Sequence, residues 1–120
     1  TYYEHDDPMR VLYRPDVRQM GAAEVADEIR RVTAGRSVYL TFDIDCFDPA
    51  FAPGTGTPVV DGLFPGEVFD IIRALKDIEI AGMDVVEVCP AYDQSETTAL
   101  MAASVVLEFL CGRAAQSAHA

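Results

Sequence analysis

Val38-Tyr-Leu-Thr-Phe-Asp-Ile-Asp-Cys-Phe-Asp-Pro49 is the stretch whose reading decides the fold. Val38 to Phe42 is a mostly apolar, β-prone run, the pattern of a strand buried on both faces. It ends in three carboxylates, Asp43, Asp45 and Asp48. Pro49, Pro53, Gly54, Gly56 and Pro58 follow, and such residues build a shaped loop instead of extending a strand. A buried strand that delivers acids at its C-terminal tip is how open α/β sheets build sites. Residues i and i+2 of a strand share a face, with Cα atoms roughly 6.5 Å apart. Asp43 and Asp45 are therefore expected to point the same way, and Ile44 into a core. Two carboxylates held side by side repel unless a cation lies between them. Hard divalent ions such as Mg²⁺ or Mn²⁺ suit carboxylate oxygen.

The same letters admit other readings. An acidic loop after a strand also serves as a plain solvated turn. An EF-hand places acids at loop positions 1, 3 and 5 and a glycine at 6; the third acid here falls at position 6, which rules it out. An apolar strand ending in Asp-x-Asp also resembles the haloacid-dehalogenase-like phosphatases, whose first Asp is a nucleophile. That pattern carries Thr or Val two residues after the second Asp, where this chain has Phe47.

Phe42-Asp-Ile-Asp-Cys-Phe-Asp-Pro49, followed by Ala52-Pro-Gly-Thr-Gly-Thr-Pro58, resembles the ureohydrolase family of arginase, agmatinase and guanidinobutyrase. Gly82-Met-Asp-Val-Val-Glu-Val-Cys-Pro90, with Tyr92-Asp93 and Thr98-Ala-Leu100, is similar to the family's next signature, in the same order. The resemblance is strong over residues 36–111. Two local departures stand out: Phe64 occupies the Ser or Thr cap position before Pro65, and Asp61-Gly-Leu63 replaces Gly-Gly-Leu. At Phe64 a backbone donor is expected to go unpaired or to water.

The chain has 120 residues, room for one domain, and half of them are apolar, enough to bury a core. No apolar run is expected to reach the ~20 residues of a membrane span. The three cysteines, Cys46, Cys89 and Cys111, show no CxxC spacing and read as reduced thiols of a cytoplasmic protein. Twenty acids oppose nine bases, for a formal charge of −11. That disfavours nucleic acid or an anionic membrane as a partner and is compatible with a cationic small molecule; it also serves solubility. A start at Thr1 and only two convincing strands read as a fragment, since a sheet so small leaves bare edges and an uncovered face.

Outward from the central strand, expected over 37–44, residues 11–13 read as a short strand stopped by Arg14-Pro15. Ala22, Val25, Ala26 and Ile29 give one apolar stripe to a helix over 19–33, which Gly35 ends. Pro65 suits the first turn of a helix over 65–76, with Glu67 at its positive end and Val68, Ile71, Ile72 and Leu75 as its buried stripe. A second strand over 78–88, loosened at Gly82, carries Glu87 at its tip. The helix between the two strands makes a right-handed β-loop-α-β crossover, so the strands run parallel and Glu87 emerges at the same edge as Asp43 and Asp45. Asp84 is expected on the opposite face, without a role. A helix over 96–110, apolar on nearly all sides, is expected between layers or against another subunit. The tail from 113 is expected to fray. Glu4-His-Asp-Asp7 and His119 read as solvated or disordered surface.

The resemblance implies a three-layer α/β/α sandwich with a mainly parallel sheet, of which residues 1–120 are the C-terminal part of one domain, assembled into trimers or hexamers. It implies hydrolysis of a guanidino compound by hydroxide bridging two Mn²⁺ ions. By motif match, Asp43 is a ligand of both ions, Asp45 a ligand of one, and Glu87 the carboxylate that binds the guanidinium. Asp48 is expected to bond within the loop, and Thr55-Gly-Thr57 to shape it. The family's His ligands and catalytic His lie in earlier segments, with no counterpart at His5 or His119, so no catalytic residue is expected here and the chain alone is expected to be inactive. The motif variants favour agmatine, then guanidinobutyrate, then arginine. The competing readings are a phosphohydrolase with Asp43 as nucleophile and Asp45 as acid, and a non-catalytic subunit.

Overall fold

A computed structural model describes residues 9–118. The elements run α1 (Arg14–Thr33), β1 (Val38–Asp43), a 3-10 turn (Ile44–Cys46), α2 (Pro65–Ala74), β2 (Ile80–Val86), a second 3-10 turn (Pro90–Tyr92) and α3 (Thr97–Ser117). β1 and β2 pair in parallel, joined by the α2 crossover as the sequence pattern requires.

The register explains how the sheet buries one face. Val38 pairs with Ile80, but Tyr39 pairs with Gly82, so Ala81 is an extra residue on β2. The bulge switches the side-chain parity of β2. Ile80 before it and Met83 and Val85 after it therefore all lie on the same sheet face as Val38, Leu40 and Phe42. The loosening expected at Gly82 is this bulge. Gly82 is also where the Tyr39 ring passes: a Cβ there would lie 3.2 Å from it.

All three helices lie on that one face. Val68 of α2 and Val105 of α3 pack with Ile44, Phe47 and Ala52 at the end where the strands finish. Ala26 of α1 packs with Leu75, Ile78 and Ile80 at the other end. The opposite face carries Tyr39, 63% exposed, and exposed Thr41. β1 was expected to be buried on both faces; within the described residues it is covered on one, and two of the three sandwich layers are present.

Several boundaries differ from the pattern reading. Residues 11–13 form no strand. Pro15 sits in the first turn of α1, where its missing N–H costs nothing, and Asp16 accepts the Tyr13 N–H at 2.9 Å. Gly21, at φ 72° and ψ 174°, breaks α1 into two helical pieces, and the expected stripe of Val25 and Ala26 belongs to the second. Glu67 accepts the Phe64 N–H at 2.8 Å, while Phe64 makes no side-chain cap bond to the first-turn N–H groups. α3 continues to Ser117, so the frayed tail expected from 113 is helical there. Its 21 residues, with a mean hydropathy of 1.5 over an 18-residue window, do have the length and composition of a membrane span, contrary to expectation. Val105, Met101, Ala102 and Phe109 nonetheless pack it on the sheet, and Glu108 pairs with Arg73 of α2 at 2.7 Å.

Candidate functional site

The tips of β1 and β2 meet at one edge. Asp43 is the last residue of β1, opposite Val86, and Glu87 is the residue that follows β2. Asp43 and Asp45 come together by a different route from the one strand alternation implies. The strand stops at Asp43 and the chain tightens into the 3-10 turn, with the Asp45 N–H donating to Asp43 Oδ1 at 3.0 Å. Ile44 in that turn is fully buried, as expected, and anchors it. Asp45 Oδ2 accepts the Thr57 hydroxyl at 2.8 Å. Thr57, expected only to shape the loop, therefore orients one of the two paired acids.

Burial, the Asp45 carboxylate and, more weakly, Glu87 raise the Asp43 carboxyl above its ordinary range, against the pull of the Asp45 N–H. Cys46, inside the same turn, has its thiol pushed up to about 12 by burial and by the charges of Asp43 and Asp45. This is a half-buried edge where negative charge is crowded and uncompensated. Glu87 adopts φ 66°, a left-handed conformation that is uncommon outside glycine and clusters at functional sites.

Asp48 behaves otherwise. Its Oδ1 accepts the Ala50 N–H and its Oδ2 the Asp61 N–H, both at 2.9 Å. These bonds and one from Gly62 N–H hold its carboxyl below the ordinary range against burial. With Leu63 N–H donating to Cys46 O at 2.8 Å and Asp48 N–H to Leu63 O at 3.0 Å, the two ends of the 48–62 loop are zipped together. Asp61, where the family pattern has glycine, sits at φ 66°, and Asp is among the residues that tolerate this. Its side chain pairs with Arg18 of α1.

Asp84 lies on the uncovered sheet face beside Tyr39, whose hydroxyl donates to Asp84 Oδ2 at 3.2 Å; Asp84 Oδ1 is buried without a partner among the described residues. All three cysteines are free thiols. His5 and the 4–7 acid cluster lie outside the described residues, as does His119.

Two adjacent carboxylates of raised charge density, with oxygen donors only, fit part of a site for a hard divalent cation. Among the described residues no group of three His, Cys, Asp or Glu side chains stands close enough to hold an ion. The pair can thus supply a share of a metal shell.

Gly54, Thr57, Asp93 and Thr98 lie at the site edge, and pattern reading did not assign them the bonds they make there. The available signal was the spacing of Asp93 to Thr98, an acid just ahead of a helix start, where it can accept first-turn N–H groups.

A model of the arginase family matches residues 1–112. An agmatinase from Edwardsiella ictaluri is 52% identical over 116 residues, which cover 97% of this chain and 38% of that protein. A crystal structure of a hypothetical agmatinase from Burkholderia thailandensis superposes with a TM-score of 0.89 at 47% identity, covering 99% of this chain and 39% of that one. The proclavaminate amidino hydrolase of Streptomyces clavuligerus gives 0.82 at 41% identity, covering 86% of this chain and 35% of that one. The chain spans well under half the length of each of these proteins.

Proposed function

The chain belongs to the arginase family, and from that premise we propose that the complete protein carrying it is a manganese-dependent ureohydrolase. Agmatine, cleaved to putrescine and urea, is the first substrate choice, guanidinobutyrate the second and arginine the third. Relatives named agmatinase, at about half identity over nearly the whole chain, support agmatine as the first choice. The observation that carries the reading is the meeting of Asp43, Asp45 and Glu87 at one sheet edge with no basic side chain paired to any of them among the described residues.

Asp43 and Asp45 would hold manganese, Asp45 oriented by Thr57 and Asp43 by the Asp45 N–H. When bound, divalent metal supplies the charge that makes hydroxide available near neutral pH. Glu87 would accept paired, charge-assisted hydrogen bonds from the planar guanidinium. Two carboxylates leave a metal shell incomplete, so the 120-residue chain alone binds manganese weakly and releases no urea. Exposed Leu100, Leu107 and Leu110 along α3 support assembly of the complete protein with copies of itself.

The phosphohydrolase alternative requires a lysine near the nucleophile. Lys76, the only lysine, is exposed between the end of α2 and the start of β2, at the opposite end of the sheet from Asp43. The deciding experiment offers agmatine, guanidinobutyrate, arginine and a phosphate monoester to the complete, manganese-loaded protein. Urea from a guanidino compound is the expected product; phosphate release with no urea from any of the three overturns the proposal.

A further inference from the structure

Gly54, in the loop between β1 and α2, is bonded to two separate elements at once. Its N–H donates to Thr98 Oγ1 in the first turn of α3 at 2.7 Å. Its carbonyl accepts the Cys89 N–H, just beyond the tip of β2, at 2.8 Å. Thr98 is fully buried, so the Gly54 N–H has no water to replace a lost partner. Asp93 fastens the third corner: it accepts the N–H groups of Thr98 at 2.8 Å and Ala99 at 2.9 Å. The loop is pressed flat against it, and a Cβ on Gly54 would lie 2.5 Å from Asp93 Cβ and 2.7 Å from its Cα.

This knot stands between the two halves of the site. Three residues after Gly54, Thr57 holds Asp45. Two residues before Cys89, Glu87 sits in its left-handed conformation. Such a conformation persists only where the surroundings over-determine it. The Gly54–Cys89 bond ties one loop to the strand that carries Glu87, and the Gly54–Thr98 bond sets where that loop lies. Neither Asp93 nor Thr98 belongs to the acid cluster itself.

We propose that Asp93 and Thr98 are positioning residues, which through Gly54 fix the separation between the Asp43/Asp45 pair and Glu87; the proposal rests on the ureohydrolase reading of the site. A hydrolysis that needs one group on the metal and another on the guanidinium depends steeply on that separation, since a misplacement of about 1 Å can cost on the order of 100-fold in rate.

The test uses the complete protein. Thr98→Val removes the hydroxyl at nearly constant volume, and Thr98→Ser keeps it. The expected result is a fall of about 10-fold or more in kcat/KM for urea release from agmatine in Thr98→Val, with manganese content unchanged and the rate restored in Thr98→Ser. A second reading needs no turnover: the Gly54 and Cys89 amides should exchange hydrogen faster together in Thr98→Val and at the wild-type rate in Thr98→Ser. A lowered thermal midpoint in Thr98→Val with kcat/KM and both exchange rates unchanged overturns the proposal. If the wild-type protein releases no urea from any guanidino compound, the ureohydrolase reading has failed and exchange decides the clamp by itself: wild-type protection of both amides in Thr98→Val refutes it. Should Thr98→Val fail to fold, Asp93→Asn, which exchanges one accepting oxygen for a donor, is measured in the same two ways.

Discussion

Acids at the strand tips and acids between the helices meet opposite fates in this molecule. Along the helix layer the arginines are spent on carboxylates: Arg14 binds Glu67 through two bonds of 2.9 Å, Arg30 binds Asp77, Arg73 binds Glu108, and Arg10 and Arg31 both bind Glu28. The Glu67, Asp77, Glu108 and Glu28 carboxyls all lie below their ordinary range, Glu28 at about 2. At the strand tips Asp43 is raised, first by burial and then by Asp45 and, more weakly, Glu87, with no arginine paired to it among the described residues. In a chain with more than twice as many acids as bases, most arginines pair with carboxylates along the helix layer, and none pairs with Asp43, Asp45 or Glu87 among the described residues. The difference teaches that the strand-tip acids are compensated by no basic side chain among the described residues, as the proposed manganese site would require.

The comparison breaks most visibly at Glu87. Replacing it with Gln in the complete protein keeps its shape and removes its charge. KM for the guanidino substrate is expected to rise by about 100-fold, the scale of losing charge-assisted hydrogen bonds, while manganese content stays at the wild-type level. Steady-state kinetics beside metal analysis checks both halves. An unchanged KM would place the guanidinium elsewhere.

A middle-sized effect is expected in the helix layer. Burial alone would raise Glu67, but Arg14 and the Phe64 N–H outweigh it. Arg14 is 18% and Glu67 33% exposed, so water screens part of the attraction, and Glu67→Gln should cost about 1–2 kcal/mol of stability. The sign with pH follows from the depressed value. The stabilisation is fully present above the ordinary value of 4.5 and is lost as pH falls through the lower folded value. Denaturant unfolding at pH 7 and in the acid range should therefore show the wild-type advantage over Glu67→Gln shrinking only below about 4.5.

The smallest effect belongs to Glu28. Its partners Arg10 and Arg31 are 48% and 66% exposed, and surface pairs of this kind contribute little. Glu28→Gln should leave the thermal midpoint nearly unmoved despite the carboxyl's low pKa. A large drop would mean that helix-layer pairs carry the fold more than exposure implies.

Much of this arrangement was legible in the letters because periodicity and punctuation are local signals. The apolar run ending in Asp43, the stripe of Val68, Ile72 and Leu75, and the crossover rule together place Asp43 and Glu87 at one edge. What the letters hid depends on tertiary choices. The bulge at Ala81 changes which β2 residues face the core; Gly82 marks its place, but not the switch of faces it causes. Asp43 and Asp45 sit together through a 3-10 turn and a bond from the Asp45 N–H, where alternation along a strand was the expected cause. The start of α1 was missed because Pro15 reads equally well as a strand breaker and a first-turn residue. The partners of Thr57 and Thr98 were hidden because a hydroxyl shows its partner only once distant segments meet.

Metal content is the most direct probe of the account. The complete protein and its Asp43→Asn, Asp45→Asn and Asp48→Asn variants are dialysed free of loose ions, and manganese per chain is measured. Asp43→Asn and Asp45→Asn should lose their manganese while Asp48→Asn, altered in a loop-holding acid, retains the wild-type amount. Full manganese retention in Asp43→Asn and Asp45→Asn would contradict the central claim that this adjacent pair of strand-tip acids is what holds the metal.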